Sequence, residues 1–123
     1  MNSNLSPLML AYVGDAVFEL FVRQKLSRQK ALPVRQLHRR ATRLVRAEGQ
    51  DAALGQIEPL LSEEEAEIVR RGRNTKSRVP KNADMAAYRR ATGFEALLGW
   101  LYLNGEHHRL EELLDAIEMG EES

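Results

Sequence analysis

The chain has 123 residues, 43% of them hydrophobic and 29% charged, and its 18 Lys and Arg balance its 18 Asp and Glu. This size and composition predict a single domain over residues 1–123, with an ordered core at about 5–117 and an acidic tail at 118–123. The lack of cysteine excludes disulfides and thiolate metal sites, and no apolar run reaches the ~18 residues that a membrane-spanning helix needs. We therefore expect a soluble, cytoplasmic protein with no membrane partner.

The charges are segregated along the sequence although they sum to zero. Nine Lys or Arg and no acid lie between residues 20 and 47, and eight more lie between residues 70 and 90 against Asp84 alone. Acids collect instead at Glu63–Glu67 and in the tail. Two separate acid-poor blocks favour a surface that binds a polyanion such as nucleic acid. The alternative is two solvated helix faces with no partner.

The first predicted helix begins at Ser6 and Pro7, a capping residue followed by a residue that is favoured in the first turn. The residues from Leu8 to Phe18 carry one charge, that of Asp15. A helix that is apolar nearly all round is buried on more than one side. We expect this helix to be the central core helix and also to contact a second subunit.

A second helix is predicted to open at Leu32 and Pro33. Its inner face is predicted from helical spacing to comprise Val34, Leu37, His38, Ala41, Leu44 and Val45. Another face carries a row of guanidinium groups from Arg35, Arg39, Arg43 and Arg46. His38 lies in the apolar stripe, which favours a core or rim histidine over a metal ligand. Gly49 and Gly55 then indicate a short connecting segment.

A third helix is predicted after Ser62, because Ser at the cap and Glu65 three residues later match a capping box. Its glutamates suit the positive helix end, and the helix should end near Gly72. The basic segment that follows, as far as Asn82, is predicted to be an exposed loop because Pro80 does not allow a helix across it. Such a loop suits phosphate and sugar contacts, although a mobile linker fits the pattern equally well.

The fourth helix should be capped by Asn82 or Asp84 and should end at Asn104 and Gly105. Its predicted core face comprises Met85, Tyr88, Ala91, Phe94, Leu98 and Leu101. A last helix is predicted from about Glu106, with an inner face of Leu110, Leu113, Leu114 and Ile117. No strand-like alternation occurs, so the sequence predicts an all-α fold of five to seven helices.

Two lone carboxylates, Asp15 and Glu95, lie in the apolar parts of the first and fourth helices, and a buried charge needs a partner. Gly14, Gly93 and Gly99 lie in or beside the same helices and would let the two backbones approach closely. We therefore expect both carboxylates to bind one Mg²⁺, with Mn²⁺ as a substitute, beside the phosphodiester of a nucleic acid.

Three blocks of the sequence resemble Mini-ribonuclease III, the group of short ribonuclease III relatives that lack a double-stranded-RNA-binding domain. The blocks are LAYVGDAVFE from Leu10, RGRNTKS from Arg71 with PKN from Pro80, and GFEALLGWLYL from Gly93. The resemblance implies an all-α homodimeric helical bundle that cuts double-stranded RNA with Mg²⁺. It also implies a role in maturing the ends of large-subunit ribosomal RNA.

By the same resemblance, Asp15 corresponds to the family's catalytic aspartate and Glu95 to its metal-binding glutamate. Full-length ribonuclease III has further carboxylates where this chain has Leu8, Ala11 and Thr92. The site is therefore expected to be poorer in carboxylates.

Two residues beside the pair are auxiliary candidates. Thr92 is one, and Glu19, one turn past Asp15, is the other; Glu19 is explained equally well as a surface ion-pair partner of Arg23. The candidate RNA contacts lie in the second helix and the basic loop: Arg35, Arg39, Arg43, Arg73, Asn74, Lys76, Lys81 and Asn82.

Two other functions stay open at this point. One is a ribonuclease III-like dimer that has lost catalysis and only binds structured RNA. The other is a helical protein-interaction domain whose two buried acids pair with arginines, with Arg89 or Arg90 as the candidates.

Overall fold

The computed structural model describes residues 5–28, 32–75 and 78–119, and every regular element within these ranges is helical. The α-helices are α1 (Pro7–Leu26), α2 (Val34–Val45), α3 (Ala47–Ile57), α4 (Glu63–Asn74), α5 (Met85–Leu103) and α6 (His107–Asp115), with a 3₁₀ turn at Glu58–Leu60. The predicted all-α class is confirmed. None of the helices in the described part of the chain is long and apolar enough to cross a membrane.

Local capping chemistry sets the helix ends as predicted. The Ser6 hydroxyl accepts a hydrogen bond from the Met9 amide at the start of α1, and Asp84 caps α5 in the same way through the Ala87 amide. Ser62 and Glu65 form both bonds of the capping box at the start of α4. Gly105 follows α5 with a φ of 74°, a left-handed conformation that favours glycine.

The centre of the fold is α5, which packs against α1, α3 and α4. The most deeply buried large side chains come from four helices, α1, α3, α5 and α6: Leu10, Phe18, Val22, Leu54, Ile57, Phe94, Leu97, Leu98, Leu101 and Leu113. The rings of Phe18 and Phe94 meet edge to face, with their centroids 5.0 Å apart. The core helix is therefore α5, and α1 covers one of its sides.

Two glycine pairs bring α5 into backbone contact with its neighbours. A Cβ atom on Gly14 would overlap the carbonyl oxygen of Glu95 and lie 2.9 Å from the backbone nitrogen of Gly99. A Cβ atom on Gly72 would lie 2.7 Å from the Cα of Gly93. Because real Cβ atoms do not approach other atoms so closely, only glycine permits these crossings of α1 and α4 over α5.

The segment with Gly49 and Gly55 is a helix, α3, so the prediction of a connecting segment is wrong. Gly49 lies under the end of α2, where a Cβ atom would be 2.8 Å from the carbonyl carbon of Leu44. The buried side of α3 consists of Gln50, Ala53, Leu54 and Ile57, which have helical spacing. Glycine here serves a close approach between helices rather than a break in the chain.

The predicted inner face of α2 is wrong at Val34 and His38, whereas Leu37 is partly buried against the core. Val34 is 80% exposed and His38 is also exposed, whereas Ala41 is buried. The rest of α2 packs on α1 and α3. Met85, in the first turn of α5, is likewise 52% exposed.

Candidate active site

The crossing of α1 and α5 brings Asp15 and Glu95 together. Gly14, the neighbour of Asp15, lies against the backbone of Glu95, so the two acidic residues come from helices in direct contact. Asp15 is exposed, and Glu95 is partly buried. The expectation that Asp15 would be buried is wrong for the single chain, because the core face of α1 is formed by its neighbours Ala11, Gly14 and Phe18.

The charge of Glu95 is strongly affected by this environment. Burial raises the pKa of Glu95 to about 8, against the effect of a hydrogen bond from Gln50. The negative charge of Asp15 and a hydrogen bond between the two carboxyl groups also contribute to this raised pKa. The two carboxyl groups are thus close enough to interact directly, and the Glu95 carboxyl holds its proton near neutral pH when no cation is bound.

Neither carboxylate is neutralised by an arginine or a lysine in the part of the chain that the structure describes. Arg90, one of the two arginines considered as partners, binds Asp51 and, at 2.9 Å, Glu58. The interpretation that the two acids simply pair with arginines is therefore not supported by these contacts.

The chemistry of this donor set fits a hard divalent cation. Mg²⁺ binds carboxylate oxygens, retains several waters and commonly needs only one or two protein carboxylates together with substrate phosphate. Among the described residues no group of three or more His, Cys, Asp or Glu side chains is placed to hold a metal ion, which excludes a closed, all-protein cage there. Asp15 and Glu95 are thus the residues that could hold an ion and leave it open to a phosphate group.

The two auxiliary candidates lie near the pair, but both have other partners. Glu19 accepts a hydrogen bond from Arg23 at 2.7 Å, which is the surface ion pair considered for it. Thr92, one turn before Glu95, is buried, and its hydroxyl donates to the Tyr88 carbonyl at 3.1 Å. In this arrangement the Thr92 hydroxyl is engaged by its own helix.

The basic residues lie on two surfaces. Arg35, Arg39 and Arg43 are exposed on α2. The helix α4 ends at Asn74, two residues past the predicted end near Gly72, so the prediction that Arg73 and Asn74 lie in a loop is wrong. They line a hollow of about 400 Å³ together with Met85, Ala86, Arg89 and Arg90.

The remaining candidate RNA contacts lie in the segment between α4 and α5. Lys81 and Asn82 are exposed, and Asn82 has a φ of 69°, a left-handed turn conformation that asparagine tolerates. Lys76 lies outside the described residues. The structure thus places an exposed basic segment after α4, as the sequence predicted for Lys81 and Asn82.

Gln50 is the residue of the site that sequence reasoning missed. Its side chain is 2% exposed, and its Nε2 donates a hydrogen bond of 3.1 Å to Oε2 of Glu95, 45 positions later in the chain. A glutamine beside Gly49 and Asp51 has the sequence character of a solvated residue. The one available signal is its helical spacing from Ala53, Leu54 and Ile57, which places it on the buried side of α3.

Comparisons with known proteins identify the family of this domain. The profile of the Ribonuclease III domain matches residues 8–106. The chain is 53% identical to a Mini-ribonuclease 3 from Thermoanaerobacter sp. (strain X514), over 91% of this chain and 80% of that protein. It is 51% identical to a Mini-ribonuclease 3 from Symbiobacterium thermophilum, over 91% of this chain and 87% of that protein.

A crystal structure of a Fusobacterium nucleatum protein has the same fold. It superposes with a TM-score of 0.81 at 28% identity and covers 92% of this chain and 91% of its own. The carboxylate pair at the crossing of α1 and α5 lies within the matched domain. The chain therefore belongs to the ribonuclease III family of endoribonucleases, in its Mini-ribonuclease 3 group.

Proposed function

We propose that this protein is a Mg²⁺-dependent endoribonuclease that hydrolyses phosphodiester bonds in double-stranded RNA. The observation that carries the proposal is the meeting of Asp15 and Glu95, without an arginine partner, at the glycine crossing of α1 and α5. Following the family resemblance, we propose precursors of large-subunit ribosomal RNA as its substrate and the cytoplasm as its location.

The surroundings of the two acidic residues give them different roles in this proposal. Asp15 is exposed and can reach a solvated phosphate group, whereas Glu95 is partly buried and accepts a hydrogen bond from Gln50 on its core side. When bound between them, the cation would polarise the phosphodiester and lower the pKa of a bound water. The protein's contribution is to keep two negative charges adjacent at a fixed spacing, which concentrates the cation where the backbone of the RNA will lie.

The exposed arginines would bind the RNA by its backbone. Arg35, Arg39 and Arg43 on α2 present guanidinium groups to solvent, and Arg73 and Asn74 line the basic hollow at the end of α4. Duplex RNA is recognised mainly through its shape, its phosphates and its 2′-hydroxyl groups. Binding should therefore depend weakly on sequence and strongly on salt concentration.

We further propose that the active form is a homodimer. Large apolar side chains on α1 remain exposed in the single chain: Leu8 at 42%, Met9 at 48%, Tyr12 at 77% and Leu20 at 68%. An exposed apolar surface on one helix commonly marks a protein interface. A two-fold pair of these surfaces would explain why α1 is apolar on both its core side and its outer side.

The proposal is tested by cleavage of a long RNA duplex by the wild-type protein and by Asp15→Asn. We expect Mg²⁺-dependent cutting by the wild type and a loss of at least about 100-fold in Asp15→Asn, because the variant lacks one of two ligand charges. RNA binding in Ca²⁺ should be retained. Asp115→Asn, an exposed acid at the end of α6, is the matched control and should cut normally.

The second candidate function is a catalytically inactive RNA-binding module. It is favoured by the small number of carboxylates, since no group of three or more acids or histidines is placed to hold a metal ion within the described ranges. Binding of the duplex by the wild type without cutting, in Mg²⁺ and in Mn²⁺, would establish this function. If neither the wild type nor Asp15→Asn bound RNA, both candidate functions would be excluded.

A further inference from the structure

Gln50 is a buried polar side chain that contacts the candidate site from the core. It lies in the first turn of α3 with 2% of its surface exposed. Its amide nitrogen donates to Oε2 of Glu95 at 3.1 Å, so it joins α3 to the acidic residue of α5. The other buried residues of α3 (Ala53, Leu54 and Ile57) are all apolar.

Packing alone gives no reason for an amide at this position. A buried amide must recover the hydrogen bonds that it loses from water, and an aliphatic side chain of similar size carries no such cost. The hydrogen-bond partner of the Gln50 amide nitrogen is a carboxylate at the candidate metal site. The reason for the glutamine is therefore to be sought in its effect on Glu95.

The kind of donor also matters. An arginine or lysine in this place would neutralise Glu95 and would compete with a cation for it. An aspartate or glutamate would repel it. A neutral amide holds one carboxylate oxygen by a hydrogen bond and leaves the negative charge of the Asp15–Glu95 pair in place. Glutamate has three side-chain torsions, so such a bond also restricts the directions in which its carboxylate can point.

We propose that Gln50 is a positioning residue that holds the Glu95 carboxylate toward Asp15 in the geometry that binds the divalent cation. The inference rests on the proposed function of the pair. Gln50 itself contacts neither the cation nor the RNA. Hydrogen-bond partners of ligands typically affect metal affinity by 10–100-fold when they are removed.

The experiment compares Gln50→Met with Gln56→Met in the full-length protein. Methionine has nearly the length of glutamine but cannot donate the hydrogen bond. Gln56 lies on the same helix, is exposed and bonds the backbone of Glu118, so Gln56→Met is a matched control away from the site. The readouts are Mn²⁺ affinity by titration calorimetry without RNA, kcat and KM on a duplex, and thermal unfolding in a chelator.

We expect Gln50→Met to bind Mn²⁺ about tenfold more weakly and to have a lower kcat, with an unchanged KM for the duplex. Gln56→Met should resemble the wild type in both measurements. An unchanged Mn²⁺ affinity and an unchanged kcat in a folded Gln50→Met protein would overturn the inference. If Gln50→Met does not fold, Gln50→Asn takes its place, because it keeps a buried amide that is one methylene too short to reach Glu95.

The wild-type arm separates the two proposals. Failure of the wild type to bind Mn²⁺ and to cut RNA would overturn the proposed function, and this inference with it. Mn²⁺ binding and cutting by the wild type together with an unaffected, folded Gln50 variant would overturn the inference alone.

Discussion

The carboxyl group of Glu95 lies between a buried amide and a second carboxyl group. Burial and the charge of Asp15 raise the pKa of Glu95 to about 8, although the hydrogen bond from Gln50 acts in the opposite direction. In the absence of a cation, the folded protein therefore holds a proton near pH 7 that the unfolded chain, with an ordinary glutamate, has released. A bound cation would displace this proton, because metal ligands must be deprotonated.

This linkage predicts the stability of the metal-free protein as a function of pH. Between the unfolded pKa, near 4.5, and the folded pKa, near 8, the native state binds one proton more than the unfolded state. Glu95 should therefore make stability fall as pH rises through this window, by up to about 1.4 kcal/mol per pH unit. In Glu95→Gln this contribution should vanish. The stability of the variant minus that of the wild type should therefore be larger at pH 8 than at pH 5.

Urea unfolding in a chelator at pH 5 and pH 8 measures this difference. Glu111→Gln, an exposed acid on α6, is the control and should follow the wild type. The same pH dependence in the wild type and in Glu95→Gln would contradict the raised pKa. Addition of Mg²⁺ at pH 8 should stabilise the wild type more than Glu95→Gln, which gives an independent check.

At the scale of the elements, the contact of α1 with α5 sets the spacing of the two acids. Gly14→Ala would place a methyl group on the Glu95 carbonyl and should lower the free energy of unfolding by about 3 kcal/mol or more, because a backbone has to move. Gly55→Ala, in the last turn of α3 with open space around it, should instead raise stability by about 0.5–1 kcal/mol. Chemical denaturation measures the free energy of unfolding of both variants. Equal effects of the two substitutions would contradict the backbone contact between α1 and α5.

A second prediction at this scale concerns the ion pair that joins α4 to α6. Arg109 binds both oxygens of Glu65 at 2.8 Å, and these contacts lower the pKa of Glu65. Arg109→Met should cost about 2 kcal/mol, less than the ~3–5 kcal/mol for breaking a fully buried pair, because the Arg109 side chain is 27% exposed. In a Glu65→Gln background, which keeps a side chain for the cap at Ser62, the same substitution should cost much less. Equal costs in both backgrounds, measured by urea unfolding, would contradict the pairing.

Most of the helical structure could be predicted from the sequence because helix ends are set locally. Ser6, Ser62 and Asp84 act on amides three residues away, so their role is visible in a short window. The exposure of Val34 could not be predicted in this way, since helical periodicity does not show whether a residue near a helix end has another helix to pack against. The helix through Gly49 was missed because the sequence does not distinguish a glycine that permits close helix packing from a glycine in a turn.

At the scale of the whole molecule, the closeness of the two charged residues of the candidate site could be predicted from the sequence. Asp15 and Glu95 stand out as lone acids in apolar runs, and the glycines beside them indicated a close approach. The role of Gln50 could not be predicted, because a hydrogen bond across 45 positions leaves no local trace. The acids that bind Arg90 were missed for the same reason.

The proposed dimer gives a prediction at this scale. Tyr12→Glu would put a charge at the most exposed apolar side chain of α1 and should convert a dimer to monomers, with a loss of cutting. Leu60→Glu, at a similarly exposed apolar side chain in the 3₁₀ turn, should leave the dimer intact. Sedimentation equilibrium at micromolar concentration measures both. A monomeric wild type that cuts RNA would contradict the dimer.

The glycine crossing also has a consequence for how this protein can move. No side chain separates the backbones of Gly14 and Gly99, so the backbones that carry Asp15 and Glu95 cannot move apart unless α1 lifts off the core. Amide protons at this crossing should exchange with deuterated solvent only on the timescale of global opening. If the proposed site exchanges as slowly as this contact predicts, adaptation to differently shaped RNA would have to come from the exposed arginines of α2 and α4.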